Sequence, residues 1–365
     1  MRRGWLMAAT FGITTVMVAS SVPSAVARDR TVAVKPAYDR DFPDPHLLRV
    51  GRTYYAYSTQ VGETNVPVMR SSDLTHWSRR SDALPRLPGW ASPGSTWAPT
   101  VLPQRSAYVL YYTVKQTSSG RQCVSMAAAA EPDGPFRDTS NGPLVCQRSL
   151  GGSIDPSVFT DDSGASYLLW KSDNNADGRK TSLWARPLGA NGLGFARSSV
   201  AVRLLNQTAR WQAPAIEGPS MVREGDSYYL FYGAGGWDSA TSAIGYATCR
   251  SPLGPCDDRS TSGPWLDSEG NGDAPVGPQG PSVFVDRSGR TRLGFAAWNG
   301  DVGYPRGVRS LWTARLSFAD GTPASADAVS TSFPGPRPIR FTWAPIRRAS
   351  FAPGRGRPGD RRSTR

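Results

Sequence analysis

The chain has 365 residues, a formal net charge of +13, 38 glycines and 31 prolines. This length can bury one large core or two modest ones, and the many turn-forming residues favour short strands over long helices. Residues 336–365 carry nine arginines against one acid, and residues 1–27 carry two arginines and no acid, so residues 28–335 are nearly neutral at +3.

The basic, Pro/Arg-rich segment 336–365 is predicted to be a disordered and solvated tail. Contact with anionic cell-wall polymers is the alternative for this tail. A nucleic-acid partner is not expected.

An N-terminal signal peptide is predicted over residues 1–27. Arginines at positions 2 and 3 precede an apolar run over residues 5–18, and a small-residue site at 25–27 follows, with cleavage expected after Ala27. The run is too short, and too polar at its end, for a membrane span. We therefore expect a secreted, extracellular protein that does not associate with a membrane.

The four cysteines are predicted to form two disulfides. Export permits disulfides, and four cysteines allow three pairings. Cys123 with Cys146 and Cys249 with Cys256 are close in sequence, and each pair would fasten one loop system. A zinc site is the alternative, but the spacings lack C-x-x-C pairs and the chain has only two histidines.

Five similar segments recur along the chain at intervals of 54 to 63 residues. Each has a residue followed by proline, then an apolar strand, a turn and a strand rich in aromatic or apolar residues. The leading residues are Asp44, Ala98, Asp155, Gly218 and Gly280. A period above 50 residues with about four strands per repeat is typical of propellers.

The sequence therefore predicts an all-β, five-bladed β-propeller over residues 28–335. A two-sheet sandwich is the alternative, but a sandwich does not require a repeated first strand. Thr31–Val34 could complete the last blade and close the ring.

Three acidic residues lie at or beside the leading positions, which should converge at one mouth of the central channel. Asp44 and Asp155 lead the first and third repeats, and Glu217 immediately precedes Gly218 of the fourth. A single Asp before Pro is commonly just a turn or strand start. Three such acids in one cavity raise each other's pKa, which is unfavourable without a function.

This set of acids points to glycoside hydrolysis. Two carboxylates across a scissile bond, with a third that tunes one of them, are typical of an inverting glycosidase. A serine or cysteine triad is disfavoured, because His46 lies within the first hairpin and His76 lies beside Trp77, where structural roles are expected. A role in the site is the alternative for His46, which is close to Asp44 in sequence.

The chain resembles family 43 of the glycoside hydrolases, the five-bladed arabinanases and xylosidases, over about residues 38–318. The resemblance rests on five motifs in order: F-P-D-P-H at 42–46, S-S-D-L-T-H-W at 71–77, W-A-P at 97–99, S-I-D-P-S at 153–157 and I-E-G-P at 216–219. It implies that Asp44 is the general base, that Glu217 is the general acid, and that Asp155 modulates the pKa of the acid and helps to orient the substrate.

The comparison with the family also suggests substrate contacts, and the sequence differs from the family at two positions. Trp97 resembles the sugar-platform tryptophan of the family, with packing in blade two as the alternative. Trp211 is expected to line the mouth, and Arg309 is expected to bind substrate from blade five.

Gln279 stands where many members have a histidine that holds a central water or metal, and Thr100 stands where many have an acid. An amide is a poor transition-metal ligand, so no cofactor is expected to be required, while a structural calcium ion held by oxygens and waters is left open.

These observations predict a secreted inverting hydrolase that acts on arabinose- or xylose-containing plant polysaccharide or oligosaccharide. The expected activity is that of an α-L-arabinofuranosidase or β-xylosidase, with endo-α-1,5-L-arabinanase as the near alternative. A non-catalytic glycan-binding propeller and a repeat scaffold for a protein partner are the alternatives from other classes. We expect a monomer.

Overall fold

The computed structural model describes residues 35–268, 275–319 and 321–326. Strands in these residues form five small antiparallel sheets, which confirms the predicted five-bladed propeller. The predicted signal peptide (1–27), the closing strand Thr31–Val34 and the tail (336–365) lie outside the described residues and stay predictions. Within the described part, no helix is long and apolar enough to span a bilayer.

Each sheet is a meander of consecutive strands. Blade one has β1 His46–Val50, β2 Thr53–Tyr57, β3 Val68–Ser71 and β4 Ser78–Arg79; blade two has β5 Ala91–Pro103, β6 Tyr108–Gln116 and β7 Gln122–Ala129; blade three has β8 Ser153–Thr160, β9 Ser166–Ser172, β10 Ser182–Pro187 and β11 Val202–Asn206; blade four has β12 Ile216–Glu224, β13 Ser227–Ala234, β14 Ala243–Cys249 and β15 Cys256–Asp258; blade five has β16 Val276–Val285, β17 Thr291–Asn299, β18 Val308–Ala319 and β19 Thr322–Ala326. Three short 3₁₀ helices lie at Arg148–Leu150, Asn174–Asp177 and Arg210–Gln212.

The hydrophobic core is divided into five clusters, each shared by two neighbouring blades. In one of them, Tyr57 of blade one packs with Leu110 and Tyr112 of blade two. Both faces of each sheet are therefore covered, which explains why the second strand of each blade is an almost continuous apolar and aromatic run.

The ring is closed by chain that precedes blade one. Tyr38 and Leu311 of β18 exchange two backbone hydrogen bonds, and the N–H of Phe42 donates to the carbonyl of Arg309 at 2.8 Å. Phe284 of blade five and Leu47 of blade one share a core cluster. Blade five is thus joined to blade one both by pairing and by packing.

Both predicted disulfides are present. Cys123 in β7 is bonded to Cys146, and Cys249 in β14 is bonded to Cys256 in β15. Because all four thiols are used in this way, none is left for the alternative zinc site.

The residue before each repeated proline has a left-handed backbone. The φ angles are 48° at Asp44, 42° at Ala98, 54° at Asp155, 55° at Gly218 and 62° at Gly280. In blades two to five the strand pairing shifts register across this pair of residues, because proline has no N–H to donate and the left-handed residue breaks the pleat. The bulges of blades two to five, and the matching left-handed residue Asp44 just before β1, turn the adjoining side chains towards the central channel.

Gly280 and Gly51 allow the importance of this bulge to be tested by substitution with alanine. Both glycines have a left-handed backbone, with φ of 62° and 57°. A Cβ at Gly280 would lie 3.1 Å from Asp44 Cα, whereas a Cβ at Gly51 would have no atom within 4 Å. We predict that Gly51→Ala lowers the free energy of unfolding by about 1 kcal/mol, and that Gly280→Ala lowers it further because the backbone of Asp44 must move. Urea denaturation measures the free energy of unfolding of both variants. Equal losses would contradict the close approach of Gly280 to the backbone of Asp44.

Candidate active site

A cavity of about 580 Å³ opens at one end of the central channel and is lined by all five blades. Its volume lies within the usual range of small-molecule sites. Asp44, Asp155 and Glu217 all line it. The structure therefore brings together the three acids that the repeat placed at one mouth.

Asp44 is held by an arginine and a threonine. Arg309 Nη1 and Nη2 donate to the two carboxylate oxygens at 3.1 and 3.0 Å, and Thr59 Oγ1 donates to Oδ2 at 2.6 Å. Burial disfavours the charge of Arg309, but Asp44 and Tyr304 together outweigh burial and raise the arginine pKa. Arg309 does line the cavity as predicted, but its guanidinium binds Asp44, which makes it a positioning residue for that carboxylate.

A side chain of the preceding blade accepts the N–H of the leading residue in three blades. Thr59 Oγ1 accepts from Ala98 at 2.9 Å, Thr113 Oγ1 from Asp155 at 3.0 Å, and Asp155 Oδ2 from Gly218 at 3.0 Å. The bulges remove these donors from the strand ladder, and the neighbouring blade satisfies them. Asp155 is thereby fixed beside the residue that follows Glu217.

Glu217 lies beside a buried lysine that the sequence analysis missed. Lys171 Nζ donates to Glu217 Oε2 at 3.0 Å and lies 3.4 Å from Asp173 Oδ1, and only 1% of the lysine side chain is exposed. Burial opposes its charge, but Glu217, Asp155 and Asp173 together raise its pKa. The missed signal is a lysine directly after the apolar run at residues 167–170 in β9. A lysine at such a position is expected to be buried, and a buried ammonium group requires a carboxylate partner.

The pKa of Asp155 is raised well above its usual value. Burial is the largest cause, followed by the adjacent carboxylate of Glu217, and Lys171 opposes the shift. Two neighbouring carboxyl groups of this kind retain one proton between them more readily than isolated ones.

Four polar side chains form the floor of the cavity: His46, Thr100, Ser157 and Gln279. His46 Nδ1 and Thr100 Oγ1 are 3.3 Å apart, and burial lowers the histidine pKa to about 4. His46 Nε2, Ser157 Oγ and Gln279 Nε2 are buried without a protein partner. Gln279 and His46 therefore both line the cavity; that Gln279 holds a central water or ion stays a prediction, and the alternative of a site role for His46 gains support.

These floor residues fit water better than a metal ion. A calcium ion requires six to eight oxygen ligands, whereas two of the three unpartnered atoms are nitrogens. In residues 35–268, 275–319 and 321–326, no group of three or more His, Cys, Asp or Glu side chains is placed to hold a metal. A calcium ion at this floor stays a prediction with little support from the donor set.

The two predicted tryptophans have different positions. Trp97 is partly exposed and lines the cavity. The prediction that Trp211 lines the mouth is wrong: its ring stacks on Tyr232 at 6.3 Å, and its Nε1 donates to the carbonyl of Ser260 at 2.7 Å. The 3₁₀ turn before β12 directs this side chain into the core between blades three and four.

Two aromatic residues of the cavity wall were also missed. Trp237 and Tyr304 line the cavity from loops of blades four and five. The guanidinium of Arg309 lies 5.3 Å from the centre of the Trp237 ring. The available sequence signal was weak, since both residues lie in Gly-rich loops outside the repeated hairpins.

Comparison with known proteins gives consistent matches. The model of Glycosyl hydrolases family 43 matches residues 34–323. The β-D-galactofuranosidase xynD of Aspergillus niger is 26% identical over 248 residues, which are 63% of this chain and 67% of that protein. The extracellular exo-α-(1→5)-L-arabinofuranosidase ArbA of Cellvibrio japonicus is 29% identical over 213 residues, 52% of this chain and 58% of that protein. The crystal structure of a thermostable family-43 glycoside hydrolase shares the fold, with a TM-score of 0.70 and 24% identity over 82% of this chain and 97% of that one.

Substitutions at Glu217 and Lys171 are predicted to shift the pKa of Asp155 in opposite directions. Glu217→Gln removes a carboxylate that raises the pKa of Asp155, so Asp155 should release its proton at lower pH. Lys171→Met removes a positive charge that lowers the pKa of Asp155, so Asp155 should hold its proton to higher pH. Carboxyl ¹³C NMR over a pH series measures both shifts.

The control for this titration is Asp226→Asn, at a fully exposed turn of blade four, which should leave the pKa of Asp155 unchanged. Shifts of the same sign for Glu217→Gln and Lys171→Met would show that these groups do not act on Asp155 through their charge.

Proposed function

The chain belongs to family 43 of the glycosyl hydrolases, and we propose that it is a secreted, inverting α-L-arabinofuranosidase or β-xylosidase that acts on plant polysaccharide. The observation that carries this proposal is the convergence of Asp44, Asp155 and Glu217 on one cavity. Two carboxylates that act on opposite sides of a glycosidic bond are what an inverting mechanism requires.

Asp44 is the general base. It accepts a proton from a water molecule as the water oxygen forms a bond to the anomeric carbon. The two hydrogen bonds from Arg309 and the one from Thr59 fix the orientation of its carboxylate. The water held by this base attacks the anomeric carbon on the face opposite the leaving oxygen, which gives a product of inverted configuration.

Glu217 is the general acid. It donates its proton to the glycosidic oxygen as the bond between that oxygen and the anomeric carbon breaks. Lys171 orients its carboxyl group through the contact at 3.0 Å, and Asp155 favours retention of a proton in the pair because it is a second carboxylate in the same cavity. Each proton transfer uses a side chain of the protein, and no cofactor is proposed.

The choice of an exo-acting pentosidase is supported by the likeness to ArbA, which is named as an extracellular exo-α-(1→5)-L-arabinofuranosidase. The same name supports export, together with the predicted signal peptide over residues 1–27. The test therefore compares aryl α-L-arabinofuranoside and β-xyloside with arabinan and arabinoxylan. An aryl β-D-galactofuranoside is included because xynD is named for that activity.

Substitution of the acid should have an effect that depends on the leaving group. We predict that Glu217→Gln lowers kcat on pentose oligosaccharides by roughly 10²–10⁴. The loss should be much smaller on a 2,4-dinitrophenyl glycoside, because that leaving group departs without protonation. Initial rates on both substrates test this.

Glu224→Gln is a matched control, since Glu224 lies in the same strand, β12, but is exposed. It should retain full activity. Equal losses on both substrates for Glu217→Gln would contradict its role as acid, and a wild-type protein that binds oligosaccharide but hydrolyses no glycoside would favour a binding module.

Substitution of the base should lower the rate whatever the leaving group. Asp44→Asn cannot accept the proton of water, so we predict a loss of roughly 10²–10⁴ in kcat on both the oligosaccharide and the dinitrophenyl glycoside. Asp162→Asn, in an exposed turn of blade three, is the control. Full activity of Asp44→Asn on either substrate would disprove the assignment.

A further inference from the structure

Two exposed aromatic side chains form a wall on the cavity that the mechanism above does not use. Trp237 and Tyr304 are each 46% exposed. They are the two exposed residues among the Trp, Tyr and Phe of the described part of the chain, and both line the cavity. Since the exposed aromatics are confined to this place, the wall has the character of a ligand-binding surface.

The wall is held rigidly from behind. The Trp237 ring stacks on Trp298, with centroids 6.5 Å apart and planes at 28°, and lies 6.1 Å from the Tyr304 ring. Trp298 is 1% exposed, and its Nε1 donates to the carbonyl of Trp237 at 3.2 Å. Tyr304 Oη donates to Asp41 Oδ1 at 2.7 Å. The polar end of the tyrosine is therefore already bonded, which leaves ring surface as the part available for contact.

The wall lines the same cavity as both reacting carboxylates and is connected to each of them. Trp237 follows β13, in which Gly233 pairs with Glu217. Tyr304 precedes β18, which carries Arg309, and Asp41 Oδ1 also accepts the Arg309 N–H at 2.9 Å. The same loops thus connect the wall to the acid of blade four and to the arginine that holds the base.

Covering Arg309 is one explanation for Trp237, because the guanidinium lies 5.3 Å from its ring centre. Neither this contact nor the interaction of Tyr304 with Arg309 requires that a tyrosine which lines the cavity leave nearly half of its surface exposed. A second ring extends the flat surface, and a flat apolar surface complements the C–H face of a sugar ring.

We propose that Trp237 and Tyr304 form a subsite that binds a second pentose ring of the substrate, next to the ring whose bond is broken. This inference rests on the proposed function. The ligand is a pentose oligosaccharide of two or more units, and xylo- and arabino-oligosaccharides share the required chemistry. Both contact the wall through apolar C–H faces, so affinity depends on the aromatic surface and not on a new hydrogen bond.

Binding is tested in the Glu217→Gln background, where substrate stays intact, by calorimetry with xylotriose and with arabinotriose. Adding Trp237→Ala should weaken binding of the preferred trisaccharide by about tenfold, the upper end of what one aromatic contact contributes. Trp237→Phe should retain most of the affinity. Val302→Ala, an exposed apolar residue near Tyr304 that does not line the cavity, should have no effect.

A kinetic comparison separates a subsite from a structural role. In the active protein, Trp237→Ala should lower kcat/KM on the trisaccharide but leave that on a pentosyl fluoride, whose leaving group is a single atom, nearly unchanged. Equal losses on both would show that Trp237 acts through Arg309 and would overturn the proposal. Unchanged trisaccharide affinity, or no trisaccharide binding at all, would also overturn it.

The subsite and the proposed function can fail separately. If wild-type protein hydrolyses none of the glycosides but binds a trisaccharide in a manner that depends on Trp237, the enzyme assignment is wrong and the subsite is supported. If the protein hydrolyses trisaccharide and the Trp237→Ala protein does so equally well, the subsite is wrong and the enzyme assignment is unaffected.

Discussion

The left-handed residue before proline is the constraint on which the whole site depends. It occurs within the first strand of blades two to five and just before the first strand of blade one, and it turns the backbone towards the channel. Glycine adopts this conformation freely in blades four and five, whereas Asp44, Ala98 and Asp155 adopt it at a cost of roughly 1–2 kcal/mol each. The preceding blade accepts the N–H groups of Ala98, Asp155 and Gly218, which the bulges free from the ladder. Strain of this kind is commonly found at functional sites, and here it brings acids from distant parts of the chain to one cavity.

Two buried cations stabilise those acids, and each contacts a different one. Arg309 binds Asp44 through both carboxylate oxygens, and Lys171 contacts Glu217 and Asp173. A planar guanidinium matches a carboxylate that has to keep one orientation. The ammonium group of Lys171 is a compact point charge that does not impose a bidentate geometry. It therefore leaves one oxygen of Glu217 available for proton transfer. Each buried cation would be strongly unfavourable without its carboxylates, so the charges of the site hold one another in place.

The features that were predictable from sequence are those that repeat or that are local. The five blades and the leading acids followed from the period and from the X–Pro pairs, and the disulfides followed from short spacings. Lys171 and Thr59 were missed because each of them contacts a residue of the next blade. Such contacts between blades leave no periodic pattern in the sequence. Trp211 was misplaced because it is close to Glu217 in sequence, yet a 3₁₀ turn packs its ring against Tyr232. Loop residues such as Trp237 lie outside the repeat. Their positions depend on packing against other blades, which the sequence pattern does not show.

In the proposed mechanism, Asp44 and Glu217 act on opposite sides of one glycosidic bond. A crystal structure of the Glu217→Gln protein with an intact pentose oligosaccharide in the cavity would show this arrangement. The glycosidic oxygen should lie roughly 2.6–3.2 Å from the side chain at position 217. A water molecule should lie at hydrogen-bond distance from Asp44, on the opposite side of the anomeric carbon. A glycosidic oxygen bound to Asp44 or Asp155, or a water on the same side as position 217, would contradict it.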